Sequence, residues 1–155
     1  MAEVSDENLK SANEGVVRET RDMASVDPAA ELRMWLFIRK DLPMPPGKLA
    51  AQAGHGFGTC LWLAAQRDPA LAQAYVGQAQ GKVSVGVKDE RELLQAVEEC
   101  RAAGLVAVAV RDAAHTVFSE PTWTVGAVGP CLRSQLPKKV ARLRLFSDYT
   151  EPDRA

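Results

Sequence analysis

Three short segments of the sequence carry side chains that could act on a ligand, and the first is a polar stripe after a proline-rich turn. This stripe consists of Lys48, Gln52 and His55. At 100° per residue the three positions share one side of a helix, so an ammonium, an amide and an imidazole could contact a single ligand. Spacing alone leaves an ordinary solvent-exposed helix border as the alternative.

The other two segments lie beside apolar runs. Asp112 follows the run 105–110 (LVAVAV), and a carboxylate at the carboxyl end of a buried strand is well placed for catalysis. A residue in this position can also simply cap a turn. Thr124 leads into another apolar run. Its hydroxyl could hold a water molecule, or the residue could simply begin a strand.

A strand and a helix must position the polar stripe. Residues 32–38 (LRMWLFI) predict a central strand, and a helix begins near Gly47 and runs to about Gln66. A glycine inside a helix costs about 1 kcal/mol relative to alanine, a cost that close approach of another backbone or a ligand usually offsets. The helix contains three glycines: Gly54, Gly56 and Gly58.

The rest of the body alternates strands with helices. Asp68 before a proline predicts the start of a short second helix, and Asp89 with Glu92 predicts a capping box for a third, which ends at Gly104. The run 105–110 predicts a strand buried on both faces and joined in parallel to the strand before it, whereas the last strand returns antiparallel after a short connection. The predicted strands are residues 32–38, 82–88, 105–110 and 123–128, and a last helix follows Pro137.

The charge of the chain is divided unevenly. Residues 1–31 hold eight acidic and three basic residues, a local charge of −5, whereas residues 32–146 stand at +6. The acidic segment has few large apolar side chains, so we predict a disordered or loosely helical tail. Residues 147–155 form a second, shorter tail. A mildly basic body of this kind can bind a polyanion.

Composition excludes several classes of protein. No apolar run reaches the roughly 18 residues that a membrane span needs, and the acidic start lacks an apolar signal core, so we expect a cytoplasmic protein. Two histidines and the absence of a CxxC pair argue against a zinc site. We predict that the cysteines, Cys60, Cys100 and Cys131, are buried and reduced.

Taken together, the segments resemble the peptidyl-tRNA hydrolase family of archaeal and eukaryotic type. Residues 39–55 (RKDLPMPPGKLAAQAGH) are similar to its signature R-x-D-L-x-M-x-x-G-K-x-A-A-Q-x-x-H. The similarity continues through KVSVGVK, through RDAAHT in place of D-A-G-R-T, and through TWTVGAVGP in place of T-x-T-V-x-x-x-G-P. It covers roughly residues 34–146. The fold expected is a three-layer α/β/α arrangement, with a four-stranded mixed sheet and helices on both faces.

The resemblance implies a hydrolase that cleaves the ester between a peptide and the 3′ end of tRNA, without a metal or organic cofactor. The expected partner is tRNA, the expected assembly is a homodimer, and no membrane is involved. The implied catalytic residues are Lys48, His55, Asp112 and Thr124, and the implied substrate-binding residues are Arg39, Gln52, Lys82, His115 and Thr116.

Roles within this set follow from the needs of ester hydrolysis. We expect Asp112 to orient or deprotonate water, with His55 as a possible relay, because the pKa of an imidazole lies near neutral pH. Lys48 would stabilise the developing oxyanion or hold the terminal phosphate. Thr124 would position the water through its hydroxyl.

Departures from the family pattern keep two further interpretations open. Ala114, His115 and Val117 replace the family's Gly, Arg and Gln, and an imidazole does not reproduce the bidentate phosphate contact of an arginine. The first alternative is a hydrolase of a different acylated tRNA. The second is a non-catalytic module of the same fold that binds tRNA or a protein.

Overall fold

Four strands of the protein form one mixed sheet. The computed structural model describes residues 27–114 and 118–147. Within these ranges the sheet has the strand order β2-β1-β4-β3. Strand β1 pairs in parallel with β2 and antiparallel with β4, and β4 pairs antiparallel with β3. The strands are β1 (Arg33–Arg39), β2 (Gly81–Val87), β3 (Ala107–Asp112) and β4 (Thr122–Cys131).

Helices cover both faces of the sheet. They are α1 (Pro46–Arg67), α2 (Pro69–Gly77), α3 (Glu90–Ala102) and the short α4 (Lys138–Ala141). Because side chains alternate along a strand, β1 contributes Met34 and Leu36 to the core beneath α1 and α2, and Trp35 and Phe37 to the core beneath α3 and α4. The predicted three-layer α/β/α fold with a four-stranded mixed sheet is confirmed.

Two predicted helix starts have the expected caps. The Asp68 carboxylate accepts from the backbone N–H of Leu71 at 3.1 Å, where α2 begins after α1 ends. The Asp89 carboxylate likewise accepts from the N–H of Glu92 at 2.9 Å. Glu92, however, accepts from the N–H of Lys88 instead of that of Asp89, so the reciprocal half of the predicted capping box is displaced by one residue.

Strand β3 corrects one prediction. We expected residues 105–110 to form a strand buried on both faces, but β3 begins at Ala107 because the N–H of Leu105 still bonds to a carbonyl of α3. As the edge strand, β3 has half-buried residues at Ala109 and Val110 and an exposed one at Arg111. The α3 connection does join parallel strands, but these lie at opposite edges of the sheet.

The helix glycines also differ from expectation. A Cβ built on Gly56 would lie 3.1 Å from Cδ1 of Leu36, so this glycine allows α1 to lie close to the sheet. Among the described residues, Gly54 and Gly58 have no atom within 4 Å of such a Cβ. Close approach to the sheet therefore accounts for Gly56, whereas approach of a ligand to Gly54 and Gly58 stays a prediction.

The packed part of the chain begins no later than Glu31. This residue is 7% exposed and pairs with Arg33, and the N–H of Leu32 bonds to the Gln78 side chain at 3.0 Å. The predicted tails lie mostly outside the described residues, so their boundaries remain predictions. Among the helices that the structure describes, none is long and apolar enough to cross a membrane.

The three cysteines are buried and free, as predicted. Cys60 of α1 lies in the core between α1 and the sheet, and Cys100 of α3 and Cys131 of β4 lie in the core between α3 and the sheet. Burial raises the pKa of each thiol to about 12. The thiolate is the reactive form of cysteine, so these side chains pack as small apolar groups and are not candidate nucleophiles.

Candidate active site

Asp112 is the centre of the candidate site. It is the last residue of β3 and is 9% exposed. Its Oδ2 accepts hydrogen bonds from Nζ of Lys48 and, at 3.1 Å, from Nε2 of Gln52. Its Oδ1 accepts from the backbone N–H of Ala114 at 2.9 Å. The carboxylate is therefore held by a cation and two neutral donors at the carboxyl end of a strand.

Gln52 links this carboxylate to a buried threonine. The hydroxyl of Thr124 donates to Oε1 of Gln52 at 2.6 Å, with the carbonyl of Val110 as a longer acceptor at 3.3 Å. Gln52 is 3% exposed and Thr124 is fully buried. Lys48, Asp112, Gln52 and Thr124 thus form one chain of hydrogen bonds, which we call the quartet. Only its Lys48–Asp112 end is near solvent.

A bulge in β4 brings Thr124 into the quartet. Val110 pairs with Val125, but Arg111 pairs with Trp123, so Thr124 is an extra residue in β4. Simple alternation would place Thr124 on the face opposite Val125, which packs beneath α1. The extra residue instead lets both side chains face α1. Bulges commonly redirect side chains in this way beside functional sites.

The first two turns of α1 supply the other half of the quartet. Pro46 begins the helix, so Lys48 lies in its first turn above the end of the sheet, and Gln52 follows one turn later. We predicted Gln52 for a polar border of the helix, but it lies on the buried face together with Gly56 and Cys60. The amide is tolerated there because the quartet satisfies both its donor and its acceptor.

His55 is not part of the quartet. It lies on the exposed side of α1, and within residues 27–114 and 118–147 it makes no hydrogen bond or ion pair. His55 lies seven positions after Lys48, which is about 10 Å along a helix axis. Its catalytic role remains a prediction. The predicted substrate-binding residues His115 and Thr116 lie outside the described residues.

Arg39 supports the loop that leads into α1. Its guanidinium makes a two-pronged ion pair with Asp41, at 2.9 and 2.8 Å, and donates to the carbonyl of Trp123 at 2.9 Å. The hydrogen bonds to Asp41 raise the pKa of Arg39. These contacts hold the β1–α1 loop against β4. They also use several of the guanidinium N–H donors that Arg39 would need to bind a substrate.

Lys82 lies towards the other end of the sheet from the quartet. It pairs with Met34 at the start of β1, whereas the quartet is level with Ile38 near its end. Four residues of strand span about 13 Å. The ammonium of Lys82 lies over the rings of Phe57 and Tyr75, 5.8 and 5.5 Å from their centroids, and burial lowers its pKa. Its substrate-binding role remains a prediction.

Sequence reasoning missed two contributors to the site. Ala114 has a φ of +68°, the left-handed conformation that glycine adopts most easily, and its N–H bonds to Asp112. The glycine of the family pattern at this position was a signal for that conformation. Phe118 lies with its ring facing Lys48, 5.7 Å from Nζ to the centroid. Irregular loops have no periodicity, so no pattern pointed to Phe118.

The site offers a cation and a carboxylate at the solvent-accessible carboxyl end of the strands. An ammonium stabilises negative charge on an oxygen, and a neighbouring carboxylate can orient or deprotonate water. Within the described ranges no three residues among the histidines, cysteines and acids are grouped so that they could hold a metal ion. The ammonium and carboxylate of the quartet suit acyl-group hydrolysis.

Comparison with known proteins points to the same chemistry. Residues 32–146 match the model of the family described as peptidyl-tRNA hydrolase PTH2. A Methanocaldococcus jannaschii protein named peptidyl-tRNA hydrolase is 33% identical over 115 residues, which are 74% of this chain and all of that protein. A Drosophila melanogaster protein named probable peptidyl-tRNA hydrolase 2 is 34% identical over 114 residues, 74% of this chain and 61% of that protein.

A mitochondrial relative extends the similarity. The Bos taurus protein named peptidyl-tRNA hydrolase 2, mitochondrial, is 29% identical over 135 residues, 84% of this chain and 75% of that protein. The family match covers the sheet, its helices and every member of the quartet. This chain belongs to the peptidyl-tRNA hydrolase PTH2 family.

Proposed function

We propose that this protein hydrolyses the ester between a peptidyl or N-blocked aminoacyl group and the 3′ end of tRNA. The observation that carries the proposal is the contact between Lys48 and Asp112 in a chain of this family. The buried Gln52–Thr124 pair supports this contact through the hydrogen bond from Gln52 to Asp112. The reaction releases the peptide acid and a tRNA with a free terminal hydroxyl, which can be charged again.

In the proposed mechanism a water molecule attacks the ester carbonyl. Asp112 orients the water and accepts its proton as the new C–O bond forms. The ammonium of Lys48 stabilises the negative charge on the carbonyl oxygen in the tetrahedral intermediate. When the ester C–O bond breaks, the proton passes to the departing ribose oxygen. Water supplies both the oxygen and the proton, so no other reactant is consumed.

We assign Thr124 and Gln52 to positioning. The Thr124 hydroxyl directs its proton to Gln52 and is fully buried, which favours action through the amide over direct contact with water. The amide in turn donates to Asp112. This assignment revises the role that we expected for Thr124 from the sequence, that of holding the water itself.

His55 is proposed to contact the substrate. Its exposed position, about 10 Å from Lys48 along α1, suits an approaching RNA better than a proton relay to Asp112. His55→Ala should then raise the substrate concentration needed for half-maximal rate and leave the maximal rate within a few-fold. A fall of a hundredfold in the maximal rate would favour the catalytic role instead.

We further propose that tRNA binds across the carboxyl end of the parallel strands. Exposed basic residues follow each of these strands or lie at its end: Lys40 after β1, Lys88 after β2 and Arg111 in β3. Phosphates bound there would lie at the same end of the strands as the quartet. These three cations support tRNA as the partner.

The experiment that tests the proposed function uses N-acetyl-aminoacyl-tRNA labelled in the acyl group. Excess enzyme should release the label far faster than the spontaneous rate, and a repeat with excess tRNA should show many turnovers per enzyme. Retention of tRNA without release would identify a binding module, and release from unblocked aminoacyl-tRNA alone would identify a hydrolase of a different acylated tRNA. Ala114, His115 and Val117 are the positions at which such a change would originate.

Assembly and location are proposals as well. The resemblance supports a homodimer, and α1 exposes an apolar patch that a second copy could cover, with Trp62 at 65% and Leu63 at 40% exposure. Light scattering should then give twice the chain mass, and Trp62→Glu should reduce it. We propose a cytoplasmic location, although the bovine relative is named mitochondrial.

A further inference from the structure

The aromatic ring of Phe118 faces the ammonium of Lys48. Nζ of Lys48 lies 5.7 Å from the centroid of the ring, within the range of a cation–π contact. The same ammonium donates to Asp112, and the Lys48 side chain is 14% exposed. The ammonium of a flexible lysine thus contacts both a carboxylate and an aromatic ring.

Phe118 is half-buried and belongs to neither of the two hydrophobic clusters of the described residues. Phe57 is a useful contrast, because its ring also faces a lysine ammonium, that of Lys82 at 5.8 Å, but it packs against the core beneath α1. Among the described residues, the main contact of Phe118 is therefore with Lys48 and not with the hydrophobic core.

We infer that Phe118 is a positioning residue for Lys48 in the hydrolysis proposed above, on which this inference rests. Lysine has four rotatable side-chain bonds, and a charge that must meet a developing oxyanion loses effect when it is misplaced by about 1 Å. The ring attracts the ammonium without accepting its protons. The cation–π contact therefore uses none of the hydrogen-bond donors of Lys48.

The test compares Phe118→Leu, which keeps apolar bulk but removes the ring, with Phe118→Tyr, which keeps the ring. With saturating enzyme and N-acetyl-aminoacyl-tRNA, Phe118→Leu should lower the maximal single-turnover rate about three- to thirtyfold, the range expected for loss of one cation–π contact. The half-saturating concentration should stay unchanged. Phe118→Tyr should remain within about twofold of wild type, as should Phe57→Leu, the matched control.

A double-variant cycle shows whether the ring acts through the lysine. In a Lys48→Ala background, Phe118→Leu should cause no further loss. An equal loss with and without Lys48 would overturn the inference, as would a Phe118→Leu rate equal to that of wild type. A raised half-saturating concentration at unchanged maximal rate would also overturn it, because the ring would then bind substrate directly.

A chemical readout keeps the inference separate from the proposed function. Reductive methylation followed by mass spectrometry should modify Lys48 faster in Phe118→Leu than in wild type, with Lys138 as an internal reference. Absence of hydrolysis by wild type would refute the proposed function but leave this measurement valid. An unchanged Lys48 methylation rate would overturn the inference about Phe118 whatever the activity.

Discussion

At the scale of single residues, the site depends on a buried amide whose nitrogen and oxygen are both hydrogen-bonded. Gln52 uses its oxygen to accept from Thr124 and its nitrogen to donate to Asp112. Neither group has access to bulk water, so removing one partner leaves a buried polar atom unsatisfied. The amide therefore fixes the orientation of the carboxylate as well as occupying space.

Thr124→Val tests this chain of bonds. The substitution keeps the shape of the side chain but leaves Oε1 of Gln52 without its donor. We expect a loss of about 1–3 kcal/mol in the free energy of unfolding and a lower maximal rate of hydrolysis. Thr124→Ser keeps the hydroxyl and should retain most of the activity. Chemical denaturation and single-turnover kinetics measure the two effects, and equal activity of both variants would refute the positioning role.

Ala114 offers a second test at this scale. Its φ of +68° costs a residue with a Cβ about 1 kcal/mol. Ala114→Gly should therefore leave the protein equally stable or up to about 1 kcal/mol more stable, since the greater freedom of glycine in the unfolded chain offsets part of the gain. Ala114→Val should destabilise it, because β-branched residues tolerate this conformation least. Thermal melting measures the stability of both variants. A glycine variant less stable than wild type would contradict the cost assigned to this conformation.

At the scale of elements, the glycines of α1 have different surroundings. Gly58 faces open space, so Gly58→Ala should stabilise the protein by up to about 1 kcal/mol through helix propensity. In Gly56→Ala the new methyl group would meet Leu36 at 3.1 Å, and the gain should be cancelled or reversed. Urea denaturation of the two variants provides the comparison. Equal stabilisation by both would mean that Gly56 does not set the distance between helix and sheet.

Much of this element scale was predictable from sequence. Apolar runs and capping residues such as Asp68 and Asp89 placed the helices and strands to within about three residues, because hydrophobic periodicity and local hydrogen bonds determine them. The edge position of β3 was not predictable, since an apolar run reads the same in a central strand and in an edge strand covered by helices. Strand order depends on long-range packing that periodicity does not encode.

The quartet was predicted only in part, and for a physical reason. The sequence motifs predicted Lys48, Asp112 and Thr124 as site residues. The burial of Gln52 was not predictable, because it depends on how α1 packs across the sheet. The orientation of Thr124 depends on a bulge that one extra residue in β4 creates. Both features arise when elements pack together, so spacing within one element could not reveal them.

At the scale of the whole molecule, charge should govern binding of tRNA. Lys88 and Lys40 lie at the same end of the sheet as Asp112, whereas Lys138 lines a hollow with Pro28 and Arg133 elsewhere on the surface. Lys88→Gln should weaken tRNA binding and reduce the slope of log affinity against log salt by about one for a single lost phosphate contact. Lys138→Gln is the matched control. If the two substitutions weaken tRNA binding equally, binding follows the net charge of the protein and does not depend on this end of the sheet.

The most direct measurement of the central claim is the single-turnover rate of the Asp112→Asn variant on N-acetyl-aminoacyl-tRNA. The substitution keeps the size of the side chain but removes the negative charge that meets Lys48. We predict a rate at least about a hundredfold below wild type, with the melting temperature and tRNA affinity little changed. A variant that folds and binds normally and keeps more than about a tenth of the wild-type rate would contradict the assignment of Asp112 to catalysis.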